Sequence, residues 1–92
     1  MQPVHPGRIL KRELKARRLS ANRLSLALRV PSGRITSVLT GKRSVTPDTA
    51  LRLARYFGNS AQFWLNLQTR YDLATTEAKI GARIKAEVLE AK

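Results

Sequence analysis

The chain has 92 residues, 42% of them hydrophobic, which fits one domain and leaves too little apolar material for a second core. It has no cysteine, so disulfides and thiolate metal sites are excluded, and its single histidine, His5, cannot form a zinc site alone. The 18 lysines and arginines against 6 acidic residues give a formal net charge of +12, which indicates a polyanionic partner. Gly41-Lys42 lacks the upstream glycine of a phosphate-binding loop, and we expect no cofactor.

The first half of the chain predicts three short helices. Apolar residues at helical spacing indicate a first helix over about 6–17. Ser20 can cap a second helix over about 21–28. Pro31 disfavours helix at the residue before it and suits the start of a third helix, which reaches residue 40 before a left-handed C-cap at Gly41.

The second half predicts three more helices. A fourth helix begins at Thr46-Pro47-Asp48 and ends near Phe57, with an apolar stripe of Ala50, Leu51, Leu53, Ala54 and Phe57. Ser60 can cap a fifth helix over about 61–72. From residue 74 on the sequence is again helix-prone, with Ile80, Ile84 and Val88 four residues apart, which predicts a sixth helix.

Residues 20–41 have the spacing of a helix-turn-helix. A helix of two turns, a tight turn and a second helix form the motif that lets one helix enter the major groove of DNA. A small apolar core closes it, contributed by Leu24, Leu28, Val30, Ile35 and Val38. We therefore expect an all-α protein, with residues 1–73 as a DNA-binding domain and residues 74–92 as a C-terminal helical tail.

Four segments of the chain resemble the HigA-type antitoxins, whose domain belongs to the Xre or lambda-repressor-like helix-turn-helix class. They are His5-Pro6-Gly7, Val30-Pro31-Ser32 with Arg34-Ile35, Gly41-Lys42-Arg43-Ser44, and Thr49 to Gly58 followed by Phe63 to Gln68 and Tyr71-Asp72-Leu73. The last segment is the most specific. The resemblance covers about residues 5–73 and leaves the tail uncovered.

The resemblance implies a five-helix lambda-repressor-like domain in a dimeric repressor. Such a protein binds an operator in its own operon and neutralises a RelE-like, mRNA-cleaving toxin encoded alongside. The chain departs from the wider class at three positions that bear on DNA binding. Arg29 replaces a turn glycine, Ala21 replaces a common glutamine, and Gly33 lies where a side chain often faces the bases.

The start of the third helix supplies the candidates for reading DNA bases, which are Ser32, Arg34, Thr36 and Ser37. Arg34 is the first choice because arginine can donate two hydrogen bonds to guanine. The alternative for Arg34 is a phosphate contact or a solvated side chain. The candidates for binding the DNA backbone are Lys42, Arg43, Ser44, Thr46, Ser20 and Arg23.

The charge is concentrated in the first half of the chain. Residues 1–47 hold eleven basic residues and one acidic residue, whereas residues 48–92 hold seven basic and five acidic residues. This asymmetry indicates an electrostatic footprint on one region of the protein. The alternative is a charge that serves only solubility.

The fifth helix has more apolar surface than one core-facing stripe needs, through Phe63, Trp64, Leu67 and Tyr71. These residues are expected at a dimer or partner interface, with closure of the core by Trp64 as the alternative. Half-sites one DNA turn apart need two recognition helices, so we expect a homodimer that pairs through the fifth helix or the tail.

Other functions fit the sequence less well. The six carboxylates and one histidine form no catalytic constellation, so we expect no catalytic residue and no enzyme. No apolar segment approaches the ~20 residues of a membrane span, which predicts a cytoplasmic protein. Two alternatives stay open: an interaction module that has lost DNA binding, and a solitary repressor without a toxin.

Overall fold

The computed structural model describes residues 3–91 and is helical throughout this range, apart from its turns and ends. Its five helices are α1 (Pro6–Arg17), α2 (Ala21–Leu28), α3 (Ser32–Leu39), α4 (Pro47–Phe57) and α5 (Ala61–Glu87). The all-α fold is confirmed, and α1 to α4 begin and end within about one residue of their predicted bounds. Among the described residues, no helix combines the length and the apolar character that crossing a membrane requires.

Side chains cap the starts of four helices, as helix-start chemistry predicts. The hydroxyls of Ser20, Thr46 and Ser60 accept hydrogen bonds from the backbone N–H groups of Arg23, Thr49 and Phe63. At the start of α1, Nδ1 of His5 accepts a hydrogen bond of 2.9 Å from the Gly7 N–H. The predicted caps at Ser20, Thr46 and Ser60 are therefore confirmed.

Left-handed residues lie at the ends of four of the helices or just after them. Gly41, just after α3, has φ +79°, as predicted, and Gly58 at the end of α4 has φ +74°. Arg29 adopts φ +60°, so a non-glycine residue takes the left-handed position in the turn of the helix-turn-helix. Arg18 ends α1 in the same conformation, with φ +53°, which the sequence did not predict. Each arginine carries a conformational cost of about 1–2 kcal/mol that glycine would avoid.

The core lies between α1 to α4 and the first half of α5. Its fully buried side chains include Leu10, Leu24, Ile35, Leu53 and, as the largest, Trp64. The prediction that Leu51 belongs to the core stripe of α4 is wrong, because its side chain is 63% exposed. Ala50, Leu53 and Ala54 face the core, and Leu51 lies roughly 100° around the helix from Ala50.

The predicted fifth and sixth helices are one continuous helix, so the prediction that a helix ends near residue 72 is wrong. No glycine or proline interrupts residues 61–80, and the Thr75 hydroxyl donates to the Tyr71 carbonyl oxygen within the helix. Buried residues of α5 occur only in its first half, at Trp64 and Gln68. The second half of α5 extends from the body and gives the described residues an elongated shape of 51 × 22 × 22 Å.

Candidate nucleic-acid interface

The turn between α2 and α3 is fixed by hydrogen bonds from two directions. The Val30 N–H donates to the Ser25 carbonyl oxygen at 3.0 Å, which closes the chain around the left-handed Arg29. From α4, Nη1 of Arg52 donates to the Leu28 carbonyl oxygen at 2.8 Å and so satisfies an acceptor at the end of α2. These contacts fix the direction in which α3 leaves the turn.

One side of α3 is buried and the other faces solvent. Ile35 and Val38 are fully buried, so the opposite side of the helix presents Gly33 and Thr36, both exposed. The Thr36 hydroxyl lies within hydrogen-bonding distance of the backbone carbonyl oxygens at 32 and 33. A Cβ atom at Gly33 would meet nothing within 4 Å. The outer face of α3 therefore carries small side chains with open space around them, which suits a helix that enters a groove.

The structure places Arg34 at the edge of this face. Its Nη1 lies 2.7 Å from Oδ1 of Asp48 at the start of α4, and its side chain is 28% exposed. The same carboxylate oxygen accepts from Nε of Arg52 at 2.8 Å. The hydrogen bond from Arg52 lowers the pKa of Asp48 and outweighs the opposing effect of desolvation, and the charge of Arg52 with the hydrogen bond and charge of Arg34 lowers this pKa further. Arg34 therefore has an intramolecular partner.

The loop after α3 carries the cationic residues Lys42 and Arg43. Their backbone N–H groups both donate to the Ser37 carbonyl oxygen, at 2.9 and 3.1 Å, so the loop folds back on the end of α3. Both side chains and that of Ser44 are exposed. This geometry places two exposed cationic residues at the C-terminal end of α3.

The remaining predicted DNA-binding residues occupy helix starts around the same motif. Ser20 caps α2, Arg23 is exposed in its first turn, and Thr46 caps α4. Ser32 is exposed at the first position of α3, whereas Ser37 is half-buried. The predicted set therefore lies on α3, on the loop after it, and at the starts of α2 and α4.

Sequence reasoning missed a glutamine that anchors the basic loop. Gln68 in α5 is 5% exposed, and its Oε1 accepts from the Val45 N–H at 2.8 Å. Its Nε2 donates to Oδ1 of Asp72 at 2.9 Å. Val45 ends the loop and is itself buried, so this side chain satisfies a backbone donor that water cannot reach. The partners are 23 residues apart in the sequence, so no local signal predicts their contact.

Sequence reasoning also missed the role of Asp48 in holding two arginines. The four-residue spacing of Asp48 and Arg52 is typical of an ion pair on one face of a helix, so the sequence does predict this contact. The contact from Arg34 crosses from α3 to α4 and had no such signal.

The predicted interface residues of α5 do not form one exposed surface. Trp64 is fully buried, and its Nε1 donates to Oδ1 of Asn59 at 2.9 Å, so it belongs to the core. Leu67 and Tyr71 are half-buried, with the Tyr71 ring centroid 4.9 Å from that of His5. Phe63 alone of the four is exposed, at 42%. The expectation that Trp64 contacts a partner directly is therefore corrected.

The chain matches the helix-turn-helix family model over residues 10–64. Virulence-associated protein I of Dichelobacter nodosus is 53% identical over 78 residues, which cover 84% of this chain and 72% of that protein. Among solved structures, an addiction module antidote protein of the HigA family from Coxiella burnetii has a TM-score of 0.95 and 48% identity, covering 99% of this chain and all of that one.

A second solved structure, of the Pseudomonas aeruginosa antitoxin HigA with the higBA promoter, also has a TM-score of 0.95. It is 40% identical and covers 99% of this chain and all of that one. Matches of this extent include both the DNA-binding motif and the long last helix. The chain belongs to the helix-turn-helix family of DNA-binding proteins and, within it, to the HigA-type antitoxins.

Proposed function

We propose that this chain binds an operator in its own operon, represses that operon, and neutralises a RelE-like, mRNA-cleaving toxin encoded alongside. The observation that carries the DNA-binding part is the open outer face of α3 with Lys42 and Arg43 folded against its end. The Pseudomonas relative whose structure contains a promoter supports the same assignment. The protein acts in the cytoplasm, where both the operator and the mRNA lie.

The exposed residues divide by role. Ser32, Thr36 and Ser37 face the bases from α3, and Arg34 reaches them from the edge of the helix by exchanging Asp48 for a base or phosphate. Lys42, Arg43, Ser44, Thr46, Ser20 and Arg23 contact phosphates. Residues 1–73 thus carry DNA binding, whereas the tail, residues 74–92, serves contacts between protein chains.

The DNA-binding part is tested with duplexes from the promoter region of the gene and with a scrambled duplex of the same composition. We expect Arg34→Ala to weaken binding of the promoter duplex by roughly 5- to 100-fold, and binding of the scrambled duplex much less. Arg70→Ala removes an exposed arginine of α5 and is the matched control. Equal losses on both duplexes would assign Arg34 to phosphate contacts, and no loss would remove it from the interface.

The toxin-binding part is tested by co-expression with the adjacent open reading frame. We expect the neighbour to arrest growth when expressed alone, and to co-elute with this protein without arrest when both are expressed. A neighbour that neither arrests growth nor co-elutes would leave the solitary repressor as the function. The DNA titration is independent of this result.

A further inference from the structure

The threonine hydroxyls on the outer face of α3 are turned back onto the helix. The Thr36 hydroxyl lies 3.3 and 3.2 Å from the backbone carbonyl oxygens of Ser32 and Gly33, so its proton is used within α3. The Thr40 hydroxyl lies 3.1 Å from the Thr36 carbonyl oxygen in the same way. Both side chains are exposed. Because each hydroxyl is directed at the backbone, the group that each threonine presents outward is its methyl group.

Gly33 leaves a notch beside the methyl group of Thr36. The two residues are three apart on one face of α3, and a Cβ atom at Gly33 would meet nothing within 4 Å. Positions with this spacing have Cβ atoms roughly 5–6 Å apart, so one carbon atom in the notch can contact both the Gly33 backbone and the Thr36 methyl group. Gly33 has no left-handed φ, so no turn requires a glycine here. The notch is apolar and has the size of one methyl group.

The surroundings of this notch indicate a polyanion as its partner. Lys42 and Arg43 are exposed in the loop that folds back on the end of α3, whereas Arg34 is paired with Asp48. Exposed cations of this kind attract phosphates. The base edges in the major groove carry polar donors and acceptors and one methyl group, the C5-methyl of thymine. That methyl group matches the notch in size and in apolar character.

We propose that this chain recognises a thymine in its operator by seating the C5-methyl group of that base between Gly33 and Thr36. The inference rests on the proposed function, in which α3 faces the bases, and it names one base that the operator contains. Thr36 contributes its methyl group, while its hydroxyl stays on the carbonyl oxygens at 32 and 33. The contact carries sequence information because the other three unmodified bases have no methyl group in the major groove.

The test compares a promoter duplex with the same duplex in which uracil replaces thymine. This replacement removes only the C5-methyl group and keeps base pairing and the hydrogen-bonding edges. The binding site is located by footprinting, and its thymines are then replaced together and one at a time, with affinities measured by fluorescence anisotropy. We expect uracil at the contacted thymine to weaken binding about three- to fivefold, the effect of one buried methyl group.

Two substitutions at Thr36 separate the methyl group from the hydroxyl. Thr36→Val keeps a methyl group, so its affinity should stay within about twofold of wild type and its preference for thymine over uracil should persist. Thr36→Ser keeps only the hydroxyl, so it should bind the two duplexes within about 1.5-fold of each other. Thr40→Ser is the matched control and should keep the preference, because a recognition helix contacts bases through its N-terminal residues. Comparing variants on the same two duplexes cancels any effect of uracil on the DNA itself.

Gly33→Leu tests the notch without disturbing the helix. We expect its helix content by circular dichroism to equal or exceed that of wild type, while its affinity for the thymine duplex falls at least about fivefold. An unchanged affinity of Gly33→Leu for that duplex would overturn the proposal.

Uracil without effect at every thymine of the site would overturn the proposal, as would a Thr36→Ser variant that still prefers thymine. Loss of affinity in Thr36→Val but not in Thr36→Ser would assign the reading to the hydroxyl and would overturn it too. A chain that binds the promoter and scrambled duplexes equally would contradict the proposed function, and this inference with it. A preference for the promoter that uracil leaves unchanged would contradict this inference alone.

Discussion

Gln68→Leu is expected to destabilise the protein although it replaces a polar residue by an apolar one of similar size inside the core. The substitution removes the acceptor that lies 2.8 Å from the Val45 N–H. Val45 is 3% exposed, so water cannot replace the lost partner, and an unsatisfied buried donor costs about 1–3 kcal/mol. For a domain of this size, each kcal/mol lowers Tm by about 4–8 °C.

Thermal and urea unfolding followed by circular dichroism measure this loss. Gln62→Leu is the matched control, because Gln62 is exposed on the same helix and donates to Asn66 on the surface. We expect that control to change the free energy of unfolding by no more than about 0.5 kcal/mol. If Gln68→Leu were as stable as Gln62→Leu, the reasoning that Gln68 anchors the basic loop would be refuted.

Three further substitutions test the site and the core. Asp48→Asn removes a carboxylate beside the DNA face and frees Arg34, so titrations should show several-fold tighter binding to any duplex, and weaker binding would contradict this. Burial lowers the pKa of His5 against the opposing charge of Asp72, so the free energy of unfolding should fall as the pH drops below the ordinary histidine pKa. His5→Asn should remove that dependence, because asparagine can cap the helix without titrating. Trp64→Ala should cost about 3–5 kcal/mol in urea unfolding, and a smaller loss would mean that the side chain is not part of the core.

The sign of the His5 effect follows from its role as a cap. The folded form keeps Nδ1 unprotonated to accept from the Gly7 N–H, whereas the unfolded chain takes up a proton at the ordinary pKa. Stability is therefore complete above that pKa and declines as the pH falls toward the lowered value in the folded form.

The helices of the first half could be predicted because strong local signals mark their ends. Ser20, Pro31 and Thr46 each act within a few residues of their own position, so the sequence alone locates α2, α3 and α4. The sequence has no helix breaker at the junction of the predicted fifth and sixth helices, although its composition changes near Ala74. The composition changes because the second half of α5 extends away from the core and its side chains do not pack against it. The helical backbone continues unchanged.

The positions of the candidate site residues could be predicted from the sequence, but their side-chain contacts could not. Which residues face outward on α3 follows from helical periodicity, because Ile35 and Val38 must be buried. The partners of Arg34 and Gln68 lie on other helices, 14 and 23 residues away, and only the packing of those helices brings them together. Long-range polar contacts of this kind leave no periodic trace in a sequence.

The open space at Gly33 has a consequence for how operator preference can change. Most positions on a recognition helix are constrained by neighbours, so a new side chain there disturbs the fold as well as the contact. At Gly33 a new side chain meets nothing within 4 Å, and any residue other than proline also gains helix propensity. On the proposed function, in which α3 faces the bases, gene duplicates in one cell acquire separate operators by a single substitution at this position, without a loss of stability that selection would oppose.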